Sequence, residues 1–414
     1  MNSSPADSAR AQTLRLELKR SAALGVLDAA SGTFLLLVAV QHLQAGAAAK
    51  ALLVAGVPLG LLLSPLATSL VRHRGWTAAR GLSVFGWTAA AGFVLAAAGG
   101  PTTYLAGSLL ALLALSLGIP LVTQIYHDNF PAHARGHLFA RVMMLRVGVT
   151  AVFAWAAGAG LDRSFEYYRL LLLVFAAAAG LAAWWGGRFP ARRLADGTSA
   201  NPLRSLRHVR HDAAFRWILT GWMFMGIGNL VMLPLRIEYL GDPRYGLHYS
   251  PLLITVCVTV VPAVVQLVFA LPFGWLFDRM NFFLLRIVLN LLIIGWIASF
   301  FLGGGLGGYL ASGVLLGLSL AGGSVTWSLW VTKIAPPGLV AEYMGVHTFL
   351  TGLRAGVAPF LAFYLASFVP MGPLALGCIA SILLGSLVLL PEARTLRVRR
   401  PATPVEPKPD GLAE

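Results

Sequence analysis

A bilayer's hydrocarbon core holds no water to satisfy exposed backbone groups, so an apolar stretch of about 20 residues that enters it must be helical. This chain is built almost entirely of such stretches. Of its 414 residues, 57% are hydrophobic and 11% charged, whereas an ordinary globular protein carries roughly 25% charged residues. Reading the apolar runs against their polar breaks gives about twelve spans. The longest polar interruption falls near the middle and divides them six and six. The sequence therefore predicts an all-α polytopic membrane protein. The expected segments are a cytoplasmic N-terminal stretch 1–21, a six-helix bundle 22–188, a cytoplasmic central loop 189–213, a second six-helix bundle 214–392 and a disordered cytoplasmic tail 393–414. The first apolar run reaches full spanning length, so it reads as a span and not as a cleaved signal.

The net charge of +15 invites a nucleic-acid reading, but its placement argues against one. Arg15, Lys19 and Arg20 precede the first span, Arg72, Arg74 and Arg80 join the second to the third, and Arg135 and Arg141 join the fourth to the fifth. Arg188, Arg192, Arg193, Arg204, Arg207 and Arg210 crowd the central loop, and Arg394 to Arg400 follow the last span. The alternate connections, such as Gly99-Gly100-Pro101 and 303–308, are nearly bare. Under the positive-inside rule both termini and the central loop face the cytoplasm, which fits a bacterial inner or a plasma membrane. The basic excess is a topology signal, with some attraction to anionic membrane lipids. Segment 203–216 reads equally as an interfacial helix or as a charged linker.

The chain also repeats itself. Ser64-Pro65-Leu66 leads down an apolar run to Arg72, and Leu271-Pro272-Phe273 leads down another to Arg279. Met144-Leu145-Arg146-Val147-Gly148-Val149 returns as Gly352-Leu353-Arg354-Ala355-Gly356-Val357. An internal duplication in a membrane chain points to two halves facing each other across a central cavity.

Twelve spans in two similar halves, cytoplasmic termini and a basic central loop resemble the major facilitator superfamily. That superfamily carries a Gly-x-x-x-Asp-Arg-x-Gly type signature after the second span, often echoed after the eighth. The echo here is Gly274-Trp275-Leu276-Phe277-Asp278-Arg279-Met280-Asn281. The first copy keeps Arg72, Arg74 and Gly75 but has Val71 where the signature has Asp. The resemblance implies the major facilitator fold and secondary transport of a small-molecule substrate by a protein that works as a monomer. It also implies a cytoplasmic gate at Arg72, Arg74, Gly274, Asp278 and Arg279. In this superfamily spans one, four, seven and ten line the cavity. That carries over to Asp28, Ser31, Gln124, Tyr126, Asn229, Trp327 and Trp330, with packing as the competing reading for the two tryptophans.

An ionisable group inside a span costs at least ~2.5–3.5 kcal/mol on insertion scales, so each is a candidate functional residue. Asp28 and Arg146 lie at similar depth in the first and fifth spans, where pairing would neutralise both. They read either as a proton- or substrate-responsive pair or as a permanent salt bridge. Arg354, near mid-depth of the eleventh span, could attract an anionic substrate or bond to helix carbonyls, and His347 shares its face two turns away.

No Gly-x-x-x-x-Gly-Lys-Ser/Thr loop, His-Glu-x-x-His, Gly-x-Ser-x-Gly or carboxylate dyad appears, so neither an ATP engine nor an enzyme is expected, and no cofactor. His133 and His137 have i, i+4 spacing beside His127 and Asp128, but a solvated gate loop is favoured over a metal site. Cys257 and Cys378 read as isolated core residues. The function expected is secondary active transport, with proton-coupled export of amphipathic or drug-like compounds as the leading form. Uptake of a sugar or organic acid, or a non-transporting sensor or scaffold, are the alternatives.

Overall fold

The computed structural model describes residues 5–193, 206–335 and 339–394. The central stretch 194–205 and the tail from 395, including the expected disorder of that tail, lie outside them. Among the described residues, twelve helices are long and apolar enough to cross a membrane. In chain order they are α1 (Ser8–Gln41), α2 (Ala47–His73), α3 (Ala78–Ala98), α4 (Pro101–Asn129), α5 (Ala132–Arg163) and α6 (Phe165–Gly186). The second set comprises α7 (Ala213–Gly241), α8 (Pro251–Arg279), α9 (Phe282–Phe301), α10 (Gly305–Ile334), α11 (Val340–Leu365) and α12 (Met371–Arg394). The architecture is all-α. Between α6 and α7, the described part of the possible interfacial segment holds the helical turn Arg207–His211 before α7 begins.

Local chemistry sets the helix starts. Thr77, Asp212, Ser250 and Asn281 each accept a backbone N–H from the first turn of α3, α7, α8 and α9, which satisfies one of the donors a helix start leaves free. Pro101 and Pro251 occupy first-turn positions where their missing N–H costs nothing. The expected polar segment 1–21 is not separate. Helix begins at Pro5 and runs unbroken into α1, because Glu17 and Arg20 pair and are buried there.

The two halves use the same pairings. In the first, α1 packs on α5 and α6, α2 on α4, and α3 on α4 and α6; in the second, α7 packs on α11 and α12, α8 on α10, and α9 on α10 and α12. Each α1–α6 contact thus has a counterpart six helices later. The halves meet along α2 against α11 and α5 against α8, which are themselves equivalent under the repeat.

Two π-helical segments interrupt this regularity, Ala30–Phe34 in α1 and Val256–Val260 in α8. They face each other across the halves, where the hydroxyls of Thr33 and Thr259 share a hydrogen bond. Arg236 of α7 donates to the Val258 carbonyl at 3.3 Å, which satisfies an acceptor within the irregular turn. Single π turns are frequent at functional sites, since the extra residue re-aims side chains.

Candidate functional site

The first wall of the site is built on α1 and α5. A Cβ at Gly25 would fall 2.6 Å from the Arg146 carbonyl and 2.8 Å from Val149 Cβ, so only glycine admits α5 this closely. Thr150 donates to the Gly25 carbonyl at 2.8 Å. One turn further, Asp28 meets Arg146 in a two-pronged pair, Nε to Oδ2 and Nη2 to Oδ1. Such bidentate contacts are among the stronger and more directional ion pairs. The side chains keep 34% and 30% exposure, so the pair is only part-buried. Ser31 turns its hydroxyl to the Asp28 carbonyl at 3.3 Å.

The second wall is built on α7 and α11. Arg354 is buried and lies against Gly226, where a Cβ would sit 2.4 Å from its Nε. It donates to the Trp222 carbonyl at 2.6 Å and to Thr351 Oγ1 at 3.3 Å. Arg286 of α9 donates to Asn290 Oδ1 at 2.8 and 3.0 Å, and Asn290 in turn donates to Ser386 at 2.9 Å. Both guanidiniums face the Trp222 ring, at 4.2 Å for Arg286 and 5.7 Å for Arg354. Asn229 is half-buried on α7, and its Oδ1 has no partner among the described residues.

Several expected cavity residues sit elsewhere. Trp330 is wholly buried, stacked between Phe215 and Phe282 at 6.0 and 5.9 Å. His347, 1% exposed, is ringed by Trp222, Trp327 and Trp330 at 5.0 to 5.6 Å. Apolar neighbours on several helices drew both into the core of the second half. Neither borders the space between the halves. Trp327 is half-buried beside them. Gln124 is exposed and donates to Asp128 at 2.8 Å on its own helix. Tyr126 turns inside the first half, donating to Glu17 Oε1 at 2.5 Å, and Glu17 is also held by Arg20 at 2.7 and 2.8 Å.

A cluster of charged contacts ties the halves together at the end opposite the basic connections. Lys50 Nζ of α2 lies 2.7 Å from Glu238 Oε2 of α7 and 3.7 Å from Asp242, and 5.6 Å from the Phe363 ring. Arg244 completes the cluster by pairing with Glu238. Burial pushes the neighbouring Tyr245 hydroxyl well above its ordinary range, so it stays protonated. Gln41 donates to the Tyr249 carbonyl at 3.0 Å, and the Leu252 N–H donates to Asp162 Oδ1 at 3.2 Å.

At the basic end the expected gate is undone. Asp278 and Arg279 are exposed, Arg279 lies over Trp275 of its own helix at 4.2 Å, and neither pairs with the first half among the described residues. Arg74 faces Trp76 at 5.9 Å, Arg72 is half-buried, and Gly274 has open space beside it. The side chains of His133 and His137 lie outside the described residues.

Sequence reading missed Lys50, Glu238, Glu17, Arg236 and Arg286. One signal was available: Lys50 is the only charged residue between His42 and Arg72, at the end where connections are otherwise bare.

The chain shares this fold with solved membrane transporters. The chain superposes on the nucleoside transporter NupG with a TM-score of 0.71 at 12% identity, covering 94% of this chain and 100% of that one. Against the partially occluded inward-open xylose transporter XylE from E. coli the values are 0.64 and 14%, covering 94% and 98%. Against a bacterial homologue of the human lysosomal transporter Spinster, inward-facing and unoccupied, they are 0.62 and 15%, covering 95% and 96%. No family model and no curated protein sequence matches the chain.

Proposed function

We propose that this protein is a secondary transporter that carries a small organic solute across a membrane by rocking its two halves about a site between them. The observation that carries the reading is the asymmetry of the inter-half contacts. Buried charges lock one end, while among the described residues Asp278 and Arg279 at the other end make no pair with the first half, and the mid-span Asp28–Arg146 pair is only part-buried. With the basic end cytoplasmic, this is an inward-facing state. Alternating access needs a lock at either end that opens in turn, around a fixed midplane site.

Asp28 is the proton-carrying candidate. Protonating it releases Arg146, so a solute that takes up Arg146 binds with the proton and not in its place, whereas a solute that displaces the proton from Asp28 itself exchanges with it. The second linkage is that of proton-coupled export of amphipathic compounds, the leading reading. The similarity to a D-xylose–proton symporter (TM-score 0.62, 13% identity) favours the second reading, proton-coupled uptake. The test is reconstitution in liposomes with an imposed pH gradient. Solute-dependent proton flux, and its direction, is the expected readout. Solute movement that ignores the gradient removes the coupling, and no movement of any solute removes the transporter reading.

A further inference from the structure

We infer that the carried solute bears an anionic group, of carboxylate or phosphate chemistry, which docks against Arg354 and Asn229, where the second half has an asparagine in the place of Asp28. The inference rests on the transporter reading and adds the substrate class.

The helix pairings make α7 and α11 the counterparts of α1 and α5. The local sequences agree, because Gly25-Val26-Leu27-Asp28 on α1 corresponds to Gly226-Ile227-Gly228-Asn229 on α7. Each glycine lies against the arginine of the neighbouring helix, with a Cβ 2.6 Å from the Arg146 carbonyl or 2.4 Å from Arg354 Nε. Each polar residue follows one turn later on the same face. In the first half that residue is an aspartate and the arginine is neutralised. In the second half it is an asparagine, and the arginine turns away to a backbone carbonyl.

The uncompensated charge is larger than one residue. Arg286 shares the Trp222 ring with Arg354, and its partner Asn290 is neutral. The buried carboxylate of this half, Glu238, is committed to Lys50 and Arg244 at the far end. Among the described residues Arg354 Nε and Trp222 Nε1 are buried donors without an acceptor. Buried charge without a counter-charge is costly, and unmet donors add to it. An anion answers both. A cation is repelled, and a neutral solute leaves the charge uncompensated.

The geometry also says where the anion enters. Asn229 is partly exposed, as Asp28 is on the opposite wall, so the same position of the repeat stays open in both halves. An anion beside Asn229 can draw the Arg354 guanidinium off the Trp222 carbonyl toward α7, reproducing the arrangement of Asp28 and Arg146.

The test uses purified full-length protein at constant ionic strength, with thermal stability and tryptophan fluorescence read against acetate, benzoate, citrate and inorganic phosphate. Benzamide is the neutral counterpart of benzoate. At least one anion is expected to raise the melting temperature and perturb the fluorescence while benzamide does neither. Asn229→Asp supplies the missing carboxylate. It should raise the melting temperature of the unliganded protein and weaken anion binding by about tenfold or more, as losing a charge-assisted hydrogen bond does. Arg354→Gln should weaken it similarly, while Arg188→Gln, at the exposed basic end, should not. Equal response to benzoate and benzamide, no response to any anion, or unchanged binding in Asn229→Asp overturns the inference. So does an anion that binds in detergent yet neither crosses nor inhibits flux in proteoliposomes, since it is then a resident counter-ion or a lipid-headgroup surrogate. Charge-selective binding without flux of any solute sinks the transporter reading instead, and flux confined to neutral solutes sinks only this one.

Discussion

Lys50 and Glu238 belong to opposite halves, yet their charged atoms are 2.7 Å apart and their side chains only 7% and 1% exposed. A buried pair is weak evidence of net stability, but removing one partner is expensive because the other is left charged and desolvated. Glu238→Gln strands both Lys50 and Arg244, so it is expected to destabilise the protein by about 3 kcal/mol, the lower end for a broken buried pair because Asp242 remains nearby. Lys50→Met should cost less, since Glu238 keeps Arg244. Both should unlock the bare end. A cysteine placed at Val40, buried beside Gly241, should then react with a membrane-impermeant maleimide from that side. Unchanged labelling in both variants would show that this cluster is not a lock.

The Asp28–Arg146 pair calls for a different outcome. Its side chains are about one-third exposed, so water offsets part of the lost interaction, and Asp28→Asn should cost only about 1–2 kcal/mol of stability. Its effect on function should be larger. Proton-coupled flux in liposomes is expected to fall at least about tenfold, equivalent to 1.4 kcal/mol, while solute binding survives. The exchanged pair Asp28→Arg with Arg146→Asp should recover stability but not coupling. Full coupled flux in Asp28→Asn would reduce the pair to a structural strut.

Part of this was legible in the chain before folding. Apolar run length fixes the spans because the bilayer allows little else, and the repeated Leu-Arg-x-Gly-Val segment located Arg146 and Arg354 in equivalent helices. The Asp28–Arg146 partnership followed from matched depth and opposite charge. What escaped was everything decided by which face of a helix meets which neighbour. Tyr126 and Trp330 lie on helices expected to line the cavity yet turn into their own bundles. In a span that is apolar all round, the periodicity that distinguishes lipid, core and cavity is faint. Glu238 escaped because a carboxylate in the last turn of a span reads as the start of a loop.

Gly25 and Gly148 provide a contrast within one helix pair. A Cβ at Gly25 meets the Arg146 backbone at 2.6 Å, whereas at Gly148 the nearest atom is Leu267 Cδ1 at 3.9 Å. Gly25→Ala is therefore expected to force α1 and α5 apart, costing roughly 1–3 kcal/mol as overpacking does. It should also impair transport by misaligning Asp28 with Arg146. Gly148→Ala should be neutral or slightly stabilising, since alanine is the better helix former. The comparison is read from melting temperatures measured alongside flux. Equal behaviour of the two variants would contradict the close α1–α5 approach.

Trp330 tests whether the aromatic cluster of the second half is packing or binding surface. It is wholly buried between Phe215 and Phe282 and edge-on to His347 at 5.1 Å. Trp330→Ala leaves a cavity and should cost about 3–5 kcal/mol. Trp330→Phe keeps most of the apolar area and loses an Nε1–H that has no acceptor among the described residues, so its cost should be smaller. If the cluster is packing, the folded Trp330→Phe protein transports with the same solute preference and the same apparent affinity as the parent. A changed preference at unchanged stability would move this tryptophan into the binding surface. The readout is a competition series against one transported solute, run on both proteins at a temperature where both are folded.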